Sequence, residues 1–591
     1  MFLGFDFYAW VTIVTLVTVF GILLFTKLPT DFVFMGAVSV LYFSGVFTVQ
    51  EAFSGFSSPS VVLTAAMMVV VAGLKFTGVL QWITKHVFGV PKTYAGALVR
   101  MMLPVTAFSF FLNNTTITTL FMGIIRFWSK KLDISPSKFY LPLMYAALMG
   151  GACTIIGTSS NIVIAGLYYE ETGKVMNIFT PLVPGLFCVV AGLLFVIAVR
   201  RWIPDRKSSE DAFEHVSDYI AELLVPSDNP YIGKTIRDAG LYHVKGGTLI
   251  EIVRYDRIED PSDPNAFILG GDRLIYSGQV DEILELKKTH GLVTANHHVF
   301  NKSEIDTSRR LRTAYITYGS QLIGTTFNDN GFEMQYGVTL IAIAHRGKLN
   351  STTPRKYVLA AGDTLLFECP RRTLFNEKSL SSKIQFFYSD DVANYDGHTV
   401  ISSVIMGVMI ILSALNILPI LQSAILAVLA MVVTRCCTIS QAMDSIKYKT
   451  IISLAGSVVL GKAIQDTGIA ERLVTAILGV CGHSPFIMMA AICLVAAFIT
   501  QLISNAAAAA IFFPVMFHAA NEVGHDPMPF LIALMIAANA ACTTPIGSPS
   551  NMLVYGPGGY RFADFLRIGI PLMMVILMAG LFAIYVLLLV L

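Results

Sequence analysis

Two apolar stretches far apart in the chain hold the same kind of polar residues at the same spacing. The first reads FSFFLNNTTITTLF and is followed by GGACTIIGTSSNIVI; the second reads FITQLISNAAAAAIFF and is followed by NAACTTPIGSPSNMLV. Asn114 precedes Asn161 by 47 residues and Asn505 precedes Asn551 by 46, and both copies contain Ala-Cys-Thr, at 152–154 and 541–543. Ser109, Asn113, Asn114, Thr115 and Thr116 gather with Gly157, Thr158 and Asn161. Thr500, Ser504 and Asn505 gather with Gly547, Ser548, Ser550 and Asn551. These are neutral donors and hard oxygen ligands, and a small hard cation is held by oxygen. Neither hairpin tip contains Lys, Arg, Asp or Glu. A bound anion would therefore be balanced by helix dipoles and co-bound cations, and a proton-coupling carboxylate is missing there. A lone Ser or Thr in a membrane helix usually back-bonds or packs helices; an Asn-Asn pair at mid-membrane is harder to read as packing. The run Ala506–Ala510 reads as close helix packing. Paired interrupted apolar segments in corresponding halves point to a secondary transporter's binding site.

The elements that would position these residues are membrane helices. The chain has 591 residues, 55% hydrophobic and 14% charged, with a net charge of +2 and a mean hydropathy of +0.67. That charge is far below the quarter found in globular domains, and it gives no sign of a nucleic-acid partner. Apolar stretches of membrane-span length recur. No cleavable signal is evident, so the segment 7–25 reads as the first span. The eight cysteines show no metal spacing and read as structural thiols.

The expected fold is an α-helical polytopic membrane protein of two inverted repeats. Each repeat has five transmembrane helices plus a re-entrant hairpin, and a cytoplasmic α/β double module is inserted between them. Residues 1–203 form the first repeat, with spans near 7–26, 30–49, 60–80, 139–168 and 178–200 and a hairpin at about 95–126. Residues 398–591 form the second, with spans near 399–415, 418–434, 449–466, 529–555 and 567–590 and a hairpin at about 486–518. Lys27, Lys85, Lys92, Arg126, Lys130, Lys131, Arg200 and Arg201 then fall on one side. Positive residues mark the cytoplasmic side, so both termini lie outside the cell's inner (plasma) membrane and the insert inside. Segments 81–90 and 470–480, after Thr77-Gly78 and Thr467-Gly468, read as interfacial arms.

The insert also repeats. Gly233 precedes Asp272 by 39 residues, as Gly324 precedes Asp363, and TLIEIVR from Thr248 matches TLIAIAH from Thr339. Alternating runs closed by Gly-Asp turns predict small β-rich modules with short helices, at 204–300 and 301–397.

The tips LNNTT and LISNA resemble the Ser-Asn-Thr signatures of the divalent anion:sodium symporters, within the broader ion-transporter superfamily. The loops GTSSN and GSPSN resemble that family's Gly/Ala-Thr-Pro-Pro-Asn loops. The resemblance covers both membrane halves. The insert resembles the carboxy-terminal modules of potassium-conductance regulators. The combination, with YGPGGYRFADFLRIG from Tyr555, resembles the insert-bearing branch labelled sulfate permeases. The resemblance implies one sodium site from Ser109, Asn113, Asn114 and the Gly157 carbonyl, and a second from Thr500, Ser504, Asn505 and the Gly547 carbonyl. It implies substrate contacts from Asn114, Thr115, Thr158, Asn505, Ser548 and Pro549. It also implies a homodimer with an elevator motion, and sodium binding that organises the anion site. The chain departs from the pattern at Asn113, where Ser is usual, at Ala506, where Thr is usual, and within both loops.

The leading expectation is sodium-coupled import of a small divalent anion, sulfate first, because the donor lost at Ala506 counts against a C4-dicarboxylate. A dicarboxylate carrier, a sodium/proton or metalloid-oxyanion transporter, and a transporter-like anion sensor are the alternatives. The insert either binds a nucleotide or other small ligand that gates transport, or only dimerises the protein. No nucleophile–base set, metal motif or phosphate loop points to an enzyme.

Overall fold

A computed structural model of the chain describes residues 6–590 except 27, 29, 78–90, 92, 207–218, 245–246, 255–256, 260–265, 279–290, 295–299, 302–308, 317–319, 321, 327–338, 346–347, 350–356, 361, 371–384, 387–397 and 482–483. The chain forms two compact units. The first comprises Met1–Pro204, Asp390–Val554 and Arg561–Leu591; the second comprises Asp205–Ser389 and Tyr555–Tyr560.

The first unit is helical, and its two halves run through the same order of elements. The first half is α1 (Phe7–Phe25), α2 (Thr30–Phe43), α3 (Val49–Ser57), α4 (Pro59–Phe76), α5 (Tyr94–Ser109), α6 (Asn114–Lys131), α7 (Ser137–Gly151), α8 (Ser159–Thr172) and α9 (Leu182–Ala198). The second is α10 (His398–Ala414), α11 (Ile420–Val433), α12 (Ile439–Ser445), α13 (Tyr448–Asp466), α14 (Ile469–Cys481), α15 (Pro485–Ile499), α16 (Asn505–Glu522), α17 (Pro527–Asn539), α18 (Pro549–Tyr555) and α19 (Phe562–Val590). Both hairpins form as α5–α6 and α15–α16. The stretches 139–168 and 529–555 are each broken, into α7 and α8 and into α17 and α18. The 13 residues of α17 rise only about 20 Å at 1.5 Å per residue, short of the ~30 Å hydrocarbon core. Its end therefore lies where apolar surroundings offer its last carbonyls no water. Val49–Leu74 and Phe562–Val586 are long and apolar enough to cross a membrane unaided.

Two short helices appear where the sequence suggested only loops. Each of α3 and α12 starts at a capping box, Thr48 with Glu51 and Thr438 with Gln441, 390 residues apart. The Thr hydroxyl takes one free helix N–H while the Glu or Gln returns a bond to the Thr backbone, which stops the preceding segment from running on. Thr467-Gly468 ends α13, with Gly468 at φ +70° in the left-handed cap position. The second arm is α14; the first arm, 81–90, lies outside the described residues.

The second unit holds two antiparallel sheets. Strands β1 (Tyr219–Leu224), β2 (His243–Val244), β3 (Gly247–Arg254), β4 (Arg257–Glu259), β5 (Arg273–Gly278), β6 (Val293–Thr294) and β7 (Phe300–Asn301) form the first, with core order β2-β3-β5-β1-β6. Strands β8 (Arg309–Tyr315), β9 (Thr339–His345), β10 (Lys348–Leu349), β11 (Asp363–Pro370) and β12 (Gln385–Phe386) form the second, ordered β10-β9-β11-β8-β12. The repeat legible in the insert holds in hydrogen bonds at a constant offset of 91. Gly233 N–H bonds Ile268 O as Gly324 N–H bonds Leu359 O, with both glycines at φ +83°. Val225 N–H bonds Asp272 O as Ile316 N–H bonds Asp363 O. The expected short helices of the insert are absent from the described residues.

Two boundaries move. Strand β7 pairs with β1, so the first sheet reaches Asn301 rather than ending at 300. Residues Tyr555–Tyr560, expected within the second membrane repeat, belong to the second unit. Their turn closes through Gly559 N–H to Gly556 O and Tyr560 N–H to Tyr555 O. A Cβ on Gly556 would lie 3.1 Å from the Gly362 backbone, so the turn packs main chain to main chain at the start of β11.

The buried Gly-Asp turns fix each sheet. Asp272 accepts two bonds from Arg254 at 2.8 Å and one from Leu269 N–H. Asp363 takes the same place with His345 Nδ1 and Ala360 N–H. Asp272→Ala removes the buried carboxylate that pairs with Arg254, itself only 17% exposed, a loss of about 3 kcal/mol for a buried pair. Hydrogen exchange should quicken in β3 and β5 and stay unchanged in β9 and β11.

Candidate functional site

The polar tip of each hairpin is built from the last residue of one arm, or the residue after it, and the first of the other. Ser109 ends α5 and Asn114 begins α6. The Ser109 hydroxyl lies 2.8 Å from Asn114 Oδ1 and 2.7 Å from the Ala147 carbonyl of α7. In the second half the Thr500 hydroxyl lies 3.1 Å from Asn505 Oδ1 and 2.8 Å from the Ala538 carbonyl of α17. A hydroxyl has one proton to donate. Each cluster thus sets three oxygens around a single proton in a buried place, an arrangement that a small hard cation would complete. The clusters sit at or near the carboxyl ends of α5, α7, α15 and α17, which favour positive charge. The amino ends of α6, α8, α16 and α18 begin at these tips and loops and favour an anion.

Two residues in each loop tie it down in the same way. The Thr154 hydroxyl donates to Phe110 O and accepts from Gly157 N–H; the Thr544 hydroxyl donates to Gln501 O and accepts from Gly547 N–H. Asn161 Nδ2 reaches the carbonyls of Gly151 and Thr154, and Asn551 Nδ2 reaches those of Ala541 and Thr544. The equivalence by bonding is therefore Thr154 with Thr544, at an offset of 390. The Ala-Cys-Thr identity, which aligns Thr154 with Thr543, is one residue out of structural register. The single-residue difference arises between the pairs Ala147/Ala538 and Gly151/Ala541.

Most predicted residues come together. A Cβ on Gly151 would meet Asn114 Oδ1 at 2.5 Å and Thr158 Cγ2 at 2.6 Å. One on Gly157 would meet the carbonyls of Gly151 at 2.6 Å and Ser109 at 2.8 Å. Ser109, Asn114, Gly157 and Thr158 thus crowd at one point. Thr158 caps α8 through Asn161 N–H, and Ser548 accepts from Ser550 N–H. Thr115 is half-buried in the first turn of α6 and Pro549 is exposed at the start of α18. Asn113 and Ser504 stand apart from the three-oxygen clusters. Both are exposed, and their side-chain oxygens accept from Thr115 N–H at 3.0 Å and Ala507 N–H at 3.3 Å. They cap α6 and α16, so the structure gives them a helix-starting role beside the ligand role that the resemblance implies.

Gln501 is a site residue that the sequence reading passed over. Its Nε2 donates to Ala497 O and Ala540 O, and its Oε1 accepts from Thr543 N–H and the Thr543 hydroxyl. It pins the second loop to the second hairpin. Phe110 occupies the equivalent position in the first half, so this pin exists on one side only. A glutamine within an apolar helix end was the available signal. Between the halves, Asn539 Nδ2 donates to Leu148 O at 2.6 Å. Its neighbours Ala538 and Ala147 supply the cluster carbonyls, so the two clusters flank one hydrogen bond between α7 and α17.

Comparison with known proteins finds this chain similar to transporters. The family model described as a citrate transporter matches residues 20–469 and 408–591. An uncharacterized transporter of Synechocystis sp. is 30% identical over 95% of each chain. A putative sulfur deprivation response regulator of Chlamydomonas reinhardtii is 29% identical over 92% of this chain and 96% of its own. Sodium/sulfate cotransporter 1 of the same alga is 28% identical over 55% of this chain and 39% of its own.

The crowding at Gly157 sets a test. Gly157→Ala must displace backbone, whereas Gly123→Ala meets nothing within 4 Å. The melting temperature of the purified protein should rise when sodium chloride replaces choline chloride. Gly157→Ala should weaken that response at least tenfold in sodium concentration, roughly 1.4 kcal/mol, and Gly123→Ala should leave it intact.

Proposed function

We infer the activity from one premise: this chain belongs to the citrate-transporter family, and as such it is a membrane-embedded secondary anion transporter rather than an enzyme. The activity proposed is sodium-coupled import of a small divalent anion, sulfate first. The observation that carries it is the pair of three-oxygen clusters, each with one proton, beside helix amino ends and without any cationic side chain in the tips. A relative named as a sodium/sulfate cotransporter supports the same coupling and substrate.

In this reading one sodium ion sits among Ser109 Oγ, Asn114 Oδ1 and the Ala147 carbonyl, with the Gly157 carbonyl adjoining. Another sits among Thr500 Oγ1, Asn505 Oδ1 and the Ala538 carbonyl, with the Gly547 carbonyl adjoining. Two cations would offset the two negative charges of the substrate where no Lys or Arg does so. The anion meets the amino ends of α6 and α16 through Asn114, Thr115 and Asn505, and the loops through Thr158, Ser548 and Pro549. Sulfate suits the place where Ala506 removes a hydroxyl, because a compact tetrahedral oxyanion needs fewer spaced donors than two separate carboxylates. The two halves insert with opposite orientation and the protein works as a homodimer, moving the site by an elevator-like displacement. The cytoplasmic insert, with its potassium-regulator-like modules and a nucleotide or other small ligand, sets the rate.

A second reading follows from the family's description as citrate transporters: a carboxylate substrate. A third, an anion sensor, follows from the relative named as a sulfur deprivation response regulator.

Radiolabelled sulfate uptake into proteoliposomes, with and without an inward sodium gradient, separates them. Sulfate should accumulate only with the gradient, and Asn114→Ala and Asn505→Ala should each reduce uptake by at least ~100-fold, the loss of more than 2.7 kcal/mol of coupled binding. Uptake of succinate in place of sulfate would establish the carboxylate carrier, and uptake of neither would leave the sensor. Ala506→Thr restores the missing donor, and it should raise the succinate-to-sulfate uptake ratio several-fold, as one hydrogen bond of about 1 kcal/mol allows.

A further inference from the structure

The broken spans of the two halves end differently. Helix α8 begins at Ser159 and α18 at Pro549, the same place in the repeat at an offset of 390. From there α8 continues unbroken to Thr172, while α18 stops at Tyr555. The sequence explains the difference. Residues 556–559 read Gly-Pro-Gly-Gly where α8 has Gly-Leu-Tyr-Tyr at 166–169. A proline turns the residue before it away from the helical region, and Gly559 sits at φ +62°, outside it. The far part of α8 is anchored within the helical unit. A Cβ on Gly166 would lie 2.6 Å from Ser60 Cβ at the start of α4, and the Ser58 hydroxyl donates to Glu170 Oε1 at 2.7 Å. The stretch at the same offset in the second half is the Tyr555–Tyr560 turn, which belongs to the second unit. Gly556 is the counterpart of Gly166, and its Cβ would lie 3.1 Å from both Cα and O of Gly362.

The two modules of the insert differ at this point. Gly362 and its counterpart Gly271 are both left-handed, at φ +85° and +90°. Their turns close alike, Gly362 N–H to Ile316 O and Gly271 N–H to Val225 O, each at 2.8 Å. A Cβ on Gly271 would meet nothing within 4 Å among the described residues, whereas one on Gly362 would lie 3.7 Å from Gly556 Cα and 3.8 Å from the Tyr555 ring. The same turn is open in the first module and covered in the second. What covers it is the last residue of α18 and the residue that follows. Helix α18 has seven residues, about 10 Å at 1.5 Å per residue. It carries Asn551, whose Nδ2 holds the carbonyls of Ala541 and Thr544, and it starts at Pro549, next to Ser548.

We propose that the second module positions α18 through the Tyr555–Tyr560 turn, so that the state of this module, and not of the first, is felt at Ser548, Pro549 and the loop that Asn551 ties down. Gly362 and Gly556 are positioning residues in this scheme. The effect on uptake rests on the reading that Ser548 and Pro549 meet the anion; the coupling itself does not depend on what is carried.

Matched variants of the full-length protein test it. Asp363→Ala and Asp272→Ala loosen the same turn in the second and the first module. Gly556→Leu forces the Tyr555–Tyr560 turn away from Gly362 without altering the core of either module. Hydrogen exchange in 549–555 should quicken roughly tenfold in Asp363→Ala and in Gly556→Leu, and should stay unchanged in Asp272→Ala. In proteoliposomes the first two variants should raise the KM for sulfate about fivefold with little change in maximal rate, and the third should leave both unchanged. Equal quickening in Asp272→Ala, or none in Gly556→Leu, overturns the proposal. Exchange is read without transport, so it decides the coupling even if the unsubstituted protein takes up neither sulfate nor succinate, a result that would instead overturn the reading of the anion site. Should Asp363→Ala fail to fold, Gly556→Leu against Asp272→Ala still decides.

Discussion

Breaking a helix inside an apolar layer frees backbone carbonyls and N–H groups that water cannot reach, and each needs another partner. The rest of the helical unit is arranged around that demand. Thr154 and Thr544 take one carbonyl and one N–H each, and Asn161 and Asn551 take two carbonyls each. The glycines beside them allow the approach: any side chain at Gly157 would strike backbone. What remains after this internal settlement is an excess of oxygen over protons at Ser109–Asn114–Ala147 and at Thr500–Asn505–Ala538. On the proposed reading the transport site is that remainder. The scaffold around it takes up the hairpin and loop carbonyls through Thr154, Thr544, Asn161 Nδ2 and Asn551 Nδ2.

The two halves settle the same demand unequally. Gln501 ties the second loop with three side-chain bonds, to Ala540 O and to the N–H and hydroxyl of Thr543, where Phe110 has no side-chain donor or acceptor to offer the first. Thr115 has a hydroxyl where Ala506 has none. The duplication makes a pair of equivalent oxygen clusters, and on the proposed reading a substrate between them would meet different chemistry from each side. On that reading the asymmetry at positions 115 and 506 would fall on the anion, while the asymmetry at 110 and 501 falls on the loop.

How much of this was legible depended on whether the determinant was local. The duplication, both hairpins and both broken spans were legible because polar residues inside apolar runs stand out by composition alone. Ser109, Asn114, Thr500 and Asn505 were legible for the same reason. The alignment of the loops was not: Ala-Cys-Thr is an identity of letters, whereas the equivalence of Thr154 and Thr544 is set by bonds to Phe110 and Gln501 across some 43 to 44 residues. Asn113 and Ser504 looked like ligands because nothing local says whether a side chain at a helix start turns back to cap it. Helices α3 and α12 were hidden in short polar stretches, although the Thr48–Glu51 and Thr438–Gln441 spacings announced their caps. The Tyr555–Tyr560 turn reads as part of the repeat that precedes it, because its packing on Gly362 is made nearly two hundred residues away in sequence.

On the proposed reading, the same oxygen excess orders the events at the site. Before a cation arrives, Asn114 and Ser109 share one proton with Ala147, and the amide is free to turn its nitrogen toward those oxygens instead. A cation requires oxygen, so its arrival fixes Asn114 with Oδ1 inward and its Nδ2 directed away from the cluster. The same choice is made at Asn505. A carboxamide whose oxygen is held by a cation presents its N–H donors elsewhere, and at the first residue of α6 and α16 those donors add to free backbone N–H groups. Anion affinity then follows cation occupancy as a consequence of amide geometry, with no larger movement required, and the coupling energy is the difference between an oriented and a freely turning Asn in each half.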